Sequence, residues 1–208
     1  MPHGAEKLCF AALLLASAVP ECLAGTQPVN WSGAFSPCNN RSEFLKHDSM
    51  NLGVRISSSN HTLAREFRRA MDFWANILDM TWHNDDSASC AVQLVNGTPD
   101  ILVNATVARS QFADWANFQG WIAFDPRAPL TRTEMYVTAV HEIGHMLGLQ
   151  HNPNANSIMY YIDLEGTEVL DSTDLAVLAD HHKLRLDARQ APIVVNRPRT
   201  ELLKIPAR

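Results

Sequence analysis

The feature that most constrains this chain is a short run in its second half with three histidines and a glutamate at fixed spacing. It reads His141-Glu142-Ile143-Gly144-His145-Met146-Leu147-Gly148-Leu149-Gln150-His151 and fits H-E-x-x-H-x-x-G-x-x-H at every fixed position. Histidines four positions apart on a helix lie on one side, so His141 and His145 can bind one metal ion. Gly148 can adopt the positive φ that ends a helix, which turns the chain and brings His151 round as a third ligand.

This arrangement indicates catalytic rather than structural zinc, because three protein ligands leave one coordination position open. We expect one catalytic Zn²⁺ on His141, His145 and His151, with a bound water whose pKa falls to about 7. Glu142 is the expected general base, which takes a proton from the zinc-bound water and delivers it to the leaving amine. The expected reaction is hydrolysis of a peptide bond. The alternative is a secreted zinc-binding protein with vestigial proteolysis.

The first residues are typical of a secretory signal peptide, predicted over residues 1–24. Lys7 precedes an apolar run that is too short to span a bilayer, and Cys22-Leu23-Ala24 places small residues at the cleavage site. After cleavage Cys38 and Cys90 remain, and an even pair in an oxidising compartment predicts a Cys38–Cys90 disulfide. The alternative is that Cys38 ligates zinc.

Sequons for N-glycosylation support the same prediction of a secreted, extracellular glycoprotein. They begin at Asn30, Asn40, Asn60, Asn96 and Asn104. The net charge of −5, without a basic run, excludes a nucleic-acid partner. We expect a monomer that does not contact a membrane after signal cleavage and whose partner is a protein or peptide substrate in an active-site cleft.

The hydrophobic pattern predicts an α+β domain with a mixed, twisted sheet, an active-site helix and a C-terminal helix. Helices are expected over residues 62–78, over 132–147 after a Thr131–Glu134 capping box, and over 174–182 after a cap at Ser172 or Thr173. Strands are expected over residues 51–57, 80–83, 90–95, 100–107 and 120–125, and Asn96-Gly97 predicts a hairpin between the third and fourth of these. An irregular leader (25–50), the domain (51–185) and a C-terminal tail (186–208) complete the predicted organisation.

The motif followed by Ser157-Ile158-Met159-Tyr160 resembles the metzincin zinc peptidases. Met159 then matches the Met-turn residue, whose thioether underlies the three imidazoles in that clan. Its distance from His151 is similar to that in the matrixin (matrix metalloproteinase) branch, and elements over 51–182 follow the matrixin order. The resemblance implies a metzincin-type fold and a zinc endopeptidase whose substrate lies along an edge strand above a cleft.

Several residues depart from the matrixin pattern or offer alternatives. The Pro-Arg-Cys-Gly propeptide motif is not found, and Thr173 replaces the first of two aspartates, whereas Asp174 matches the second. Tyr161 resembles the zinc-proximal tyrosine of astacins and serralysins, which implies a contact to the oxyanion; ordinary packing is the alternative. Glu165 lies at the separation of a gluzincin third ligand, so a gluzincin-type peptidase is a further alternative. Calcium has only the weak candidate Asp85-Asp86.

Overall fold

A computed structural model provides the structure of the chain and describes residues 49–86, 92–99, 101–102, 107–114, 119–160, 168–185 and 190–196. Some predicted features therefore lie outside the described residues: the signal peptide, both cysteines of the expected disulfide (Cys38 and Cys90), the sequon residues Asn30, Asn40 and Asn104, Tyr161 and Glu165.

The main sheet has five strands in the order β2-β1-β3-β5-β4. They are β1 (Met50–Ser57), β2 (Met80–Asn84), β3 (Val92–Asn96), β4 (Ala108–Asp114) and β5 (Gln119–Phe124). All neighbours are parallel except β4, which pairs with β5 in antiparallel fashion and forms one edge of the sheet. Leu52 and Val54 of β1 are buried in the core, as strand alternation requires.

The helices begin where side-chain caps satisfy their first free N–H groups. Asn60 caps α1 (His61–Ile77), and its Oδ1 accepts from the amides of Thr62 and Leu63. Thr131 and Glu134 form the predicted capping box of α2 (Arg132–Met146). The buried Trp74 of α1 donates its indole N–H to the carbonyl of Val140 (3.1 Å), which fixes α1 against the helix that carries the zinc motif.

The last described part of the chain contains α3 (Ser172–His181) between β6 (Glu168–Leu170) and β7 (Ile193–Asn196). The two strands pair antiparallel in a small second sheet. The cap of α3 is Asp171, one residue before the predicted Ser172 or Thr173, and its carboxylate accepts from the amides of Thr173 and Asp174. None of the helices in the described ranges is long and apolar enough to span a membrane.

The predicted fold class is confirmed: the sheet is mixed, α2 carries the motif, and a helix follows it. The predicted hairpin at Asn96-Gly97 is wrong. Strand β3 is parallel to both of its neighbours, β1 and β5, and Gly97 donates its amide to Phe124 of β5 (2.6 Å). Ile101 and Leu102 lie in a turn and a bend rather than in the predicted strand, and both amides bond to the Thr98 carbonyl.

Candidate metal centre

The three histidines of the motif lie together at the C-terminal end of α2. His141 and His145 are one turn apart on the helix, with ring centroids 4.6 Å from each other. Gly148 has a φ of 94°, which L side chains rarely adopt, and the turn it makes brings the ring of His151 to 4.7 Å from His145 and 5.4 Å from His141. One candidate nitrogen from each ring lies within 4.8 Å of the other two.

Backbone carbonyls orient two of the three rings. The Nδ1 atom of His141 lies 2.7 Å from the carbonyl oxygen of Ile158, and Nδ1 of His145 lies 2.8 Å from that of Leu149. Because a carbonyl only accepts, each Nδ1 carries the hydrogen and each Nε2 presents its lone pair. A hydrogen-bonded outer contact of this kind fixes the tautomer and the ring orientation of metal-binding histidines.

The imidazoles are neutral near pH 7. Burial lowers the pKa of His141 to about 4, although its bond to Ile158 acts in the opposite direction. Burial and the neighbouring His145 lower the pKa of His151 to about 4, and burial also lowers the pKa of His145. A metal ion therefore competes with few protons for these nitrogens.

These donors fit zinc. Zn²⁺ takes imidazole nitrogens at about 2.0–2.1 Å in a tetrahedral arrangement, and three convergent neutral rings supply three of its four positions. Among the described residues this is the one group of three or more His, Cys, Asp or Glu side chains whose ligand atoms lie close enough to share an ion.

Glu142, the expected base, is buried beside the rings. Burial raises the pKa of its carboxyl, while hydrogen bonds from the Ser110 hydroxyl and amide favour the ionised form. Ser110 belongs to β4, the edge strand, so this strand passes directly beside the carboxylate. A raised carboxyl pKa suits a group that must both accept and return a proton near neutrality.

Met159 is completely buried under α2. A Cβ atom built on Gly144, which lies between the two helical histidines, would come within 2.7 Å of the Met159 sulfur and 3.3 Å of the Trp74 ring. A larger side chain at this position would therefore displace the thioether of Met159.

A polar network joins the Met159 segment to α3. The buried carboxylate of Asp174 accepts from the Ser157 hydroxyl (2.7 Å) and the Asn152 amide group (2.9 Å). Ser157 in turn accepts from the amide of Met159 (2.9 Å), and Asn152 donates its own amide to the Met159 carbonyl (3.0 Å). The segment after His151 is thus held at several points by side chains as well as backbone.

Other acidic and histidine side chains in the described ranges do not join the three-histidine group. Asp85 lies 3.9 Å from the ring nitrogen of His83, and Asp86 accepts from Asn84 (3.0 Å); neither forms, with other described residues, a group able to hold a metal ion. His181 is the last residue of α3, and the next histidine, His182, is buried with its Nε2 2.8 Å from the carbonyl of Leu147.

Sequence reasoning missed the groups that support the motif from outside it: Ser110, the carbonyls of Ile158 and Leu149, and Gly144 as the space for Met159. Backbone carbonyls carry no residue-specific signal. The glycine between the two helical histidines was the one available signal, because a helix interior disfavours glycine unless packing requires it.

A family model and individual relatives both match this chain to the same protein family. The family model for matrixins (Peptidase_M10) matches residues 46–180. Human matrix metalloproteinase-26 is 29% identical over 117 residues, which is 44% of this chain and 39% of the relative. Matrix metalloproteinase-16 is 28% identical in rat and 27% identical in human over 119 residues, 46% of this chain and 19% of each relative. The matched region thus spans well under half the length of these relatives.

Proposed function

The chain belongs to the matrixin family, and from this premise we propose that it is a secreted zinc-dependent endopeptidase with Glu142 as its general base. The observation that carries the proposal is the convergence of three neutral imidazoles within 4.8 Å beside a buried carboxylate. The family supports a metalloendopeptidase, and the proposal assigns the roles of the residues in this chain.

His141, His145 and His151 would hold the zinc through Nε2 in the first two, because their Nδ1 atoms are engaged by the carbonyls of Ile158 and Leu149. Zinc bound there supplies a Lewis acid, which polarises the scissile carbonyl and makes water a better proton donor. The Met159 side chain packs below the helix through the gap at Gly144 and limits movement of the ligand helix.

Glu142 accepts a proton from the attacking water at its carboxylate and then donates it to the nitrogen of the leaving amine. Burial raises the pKa of this carboxyl, so the protonated form that must exist between the two steps costs less free energy than it would in water. Ser110 orients the carboxylate through two hydrogen bonds.

The position of β4 supports an extended peptide substrate. This strand is the edge of the five-stranded sheet, so one side of its backbone is available for pairing with another strand. Since Ser110 of β4 contacts the base, a peptide aligned on this edge would place a scissile bond near Glu142.

The test compares the wild type with Glu142→Ala and Glu142→Gln on a broad peptide library, with and without chelator. We expect both variants to retain zinc and to lose cleavage by at least two orders of magnitude. Equal, poor cleavage by wild type and variants that all hold zinc would instead support the alternative of a zinc-binding protein with vestigial proteolysis.

The ligand set has its own test. Under the proposal His151→Ala loses zinc, whereas Glu165→Ala retains it; the reverse result would support a gluzincin-type site.

Tyr161→Phe tests the proposed contact of that hydroxyl with the oxyanion, which predicts a lower kcat at unchanged KM.

Export is proposed from the sequence alone, together with the Cys38–Cys90 disulfide and N-glycans. The cap at Asn60 is compatible with a glycan, because it uses the side-chain oxygen whereas a glycan is attached to the nitrogen. Asn96 is exposed at the end of β3. Glycosidase treatment and non-reducing peptide mapping of the secreted protein would test these modifications.

A further inference from the structure

The chain beyond α3 pairs with the strand that precedes that helix. Its strand β7 pairs antiparallel with β6, with Val194 opposite Val169 and Ile193 opposite Leu170. Ile193 and Val195 also pack against the hydrophobic core, whereas the Val194 side chain is 39% exposed. The segment is therefore attached both by backbone pairing and by two apolar side chains.

Strand β6 is in turn bonded to the segment that contains Met159. The amide of Ile158 donates to the carbonyl of Val169 (2.8 Å), and the amide of Val169 donates to the carbonyl of Asn156 (2.9 Å). The carbonyl of the same Ile158 is the group that orients His141. A continuous path of backbone contacts thus runs from β7 through Val169 and Ile158 to the first histidine.

The pairing geometry identifies which backbone groups hold β7. Both backbone groups of Val169 face the Met159 segment, and successive residues of a strand direct these groups to opposite sides. The backbone hydrogen bonds between β6 and β7 must therefore be made by Leu170 and Glu168, the neighbours of Val169. Leu170 and Ile193 form the hydrogen-bonded pair, and Val169 and Val194 form the pair without hydrogen bonds.

We propose that β7 is a positioning segment for His141. By completing the small sheet it fixes Val169, which accepts the amide of Ile158 and so fixes the residue whose carbonyl orients the imidazole. A strand of three residues such as β6 has little stability without a partner on its open side. The inference rests on the proposed role of His141 as a zinc ligand, and its effect on the Ile158 segment is measurable without zinc.

The first test compares the full chain with two shortened forms, one ending at Asn196 and one ending at Arg189. Only the second removes β7. Loss of outer contacts typically lowers metal affinity 10–100-fold, and we expect about a 10-fold loss of zinc affinity for the chain that ends at Arg189 and none for the chain that ends at Asn196. Chelator competition measures the affinity.

Amide hydrogen exchange in the metal-free protein gives the second readout. We expect faster exchange at Ile158 and Val169 in the chain ending at Arg189, with unchanged exchange at Leu94 in β3 and Met71 in α1. Unchanged exchange at Ile158 and unchanged zinc affinity would overturn the proposal. Lost protection at Leu94 and Met71 as well would mean that β7 stabilises the whole domain and does not position one ligand.

Point variants give a matched pair that leaves the chain length intact. Ile193→Pro removes an amide that donates to β6, whereas Val194→Pro places proline where the amide faces away from β6. Ile193→Ala controls for the lost side chain. The proposal expects lower zinc affinity and faster Ile158 exchange for Ile193→Pro only; equal behaviour of both proline variants would contradict it. If the full chain itself binds no zinc, the ligand assignment fails, and the exchange comparison still reports whether β7 holds the Ile158 segment.

Discussion

Glu66 and Asp174 are both buried carboxylates, but the structure surrounds them with different chemistry. Glu66 on α1 is fully inaccessible to solvent and is bonded by three guanidinium groups, those of Arg65, Arg69 and Arg132. Asp174 on α3 is 3% exposed, and within the described residues its hydrogen bonds come from uncharged groups: the Asn152 side chain, the Ser157 hydroxyl and the amide of Asp171.

The charge of the hydrogen-bond donors determines the direction in which the pKa of each carboxyl shifts. Burial raises the pKa of Glu66, but the bonds to three arginines outweigh it, so the pKa lies below its usual value. At Asp174 burial dominates, and the neutral donors do not fully compensate, so the pKa lies above its usual value. Charged partners thus keep a buried carboxylate ionised more effectively than a similar number of neutral donors.

The two sites also differ in what happens when the carboxylate is lost. The arginine side chains at Glu66 are 53–64% exposed, so their guanidinium groups can rotate outward and be hydrated. The donors at Asp174 include buried groups of Asn152 and Ser157, which cannot reach water without moving the segment that contains Met159. The neutral network is therefore the more sensitive of the two.

The largest effect is expected for Asp174→Asn. The new NH2 group faces donors at a buried site. At least one existing donor then loses its acceptor and the new N–H group finds none, which should reduce the free energy of unfolding by about 3 kcal/mol in total. We expect this loss of unfolding free energy in urea denaturation of the metal-free protein, with weaker zinc binding. Ser172→Ala, an exposed position on the same helix, is the control. A loss below 1 kcal/mol would show that the network is not essential.

A smaller effect is expected for Glu66→Gln, although this carboxylate has more ionic partners. The displaced guanidinium is rehydrated at the surface, so the lost hydrogen bond to a charged group should reduce the free energy of unfolding by about 1–2 kcal/mol in the same measurement. Zinc affinity should not change, because the cluster lies at the start of α2 and the histidines at its end. A loss equal to that of Asp174→Asn would refute the idea that exposure of the partners limits the cost.

Separation along the chain explains which features could be predicted from the sequence. Amphipathic helix α1, the Thr131–Glu134 box and the histidine motif depend on residues close together in the chain, and all three were predicted. The hairpin at Asn96-Gly97 failed because β3 pairs with β1 and β5, which lie far from it in sequence; a favourable local turn did not determine the neighbour.

Strand β4 was not predicted, because Arg109, Ser110 and Gln111 are polar and interrupt the hydrophobic pattern. As the edge of the sheet it needs no continuous apolar face, and its Ser110 contacts the buried carboxylate of Glu142. At the metal centre the motif predicted the grouping of the three histidines. The path through Val169 and Ile158 was unreadable, because it consists of backbone groups joined by the fold.

The opposite pKa shifts predict opposite responses to acid. Glu66 contributes stability that is fully present above its ordinary pKa of 4.5 and is lost as the pH falls through its lower folded value. At Asp174 the folded state binds the proton more tightly, so acidification from the folded pKa toward 3.8 favours folding at this site.

We therefore expect the stability difference between wild type and Glu66→Gln to shrink as the pH falls below 4.5. The difference between wild type and Asp174→Asn should grow in acid. Urea denaturation across a pH series measures both. Differences that change in the same direction would mean that one of the two assigned shifts is wrong.

The smallest effect is expected for Arg69→Lys, which separates charge from geometry at the Glu66 cluster. Arg69 bonds to Glu66 and also lies over the ring of Tyr136, with its Cζ atom 4.6 Å from the ring centroid. Lysine keeps the charge but cannot present a planar group to both partners, so we expect a loss of about 0.5–1 kcal/mol. Arg68→Lys is the control. In the described part of the chain Arg68 bonds to the Ala64 carbonyl of its own helix (3.2 Å), so its replacement should cost less. Because two other arginines keep Glu66 paired, a loss from Arg69→Lys as large as that from Glu66→Gln would mean that the stacked guanidinium supports most of the cluster.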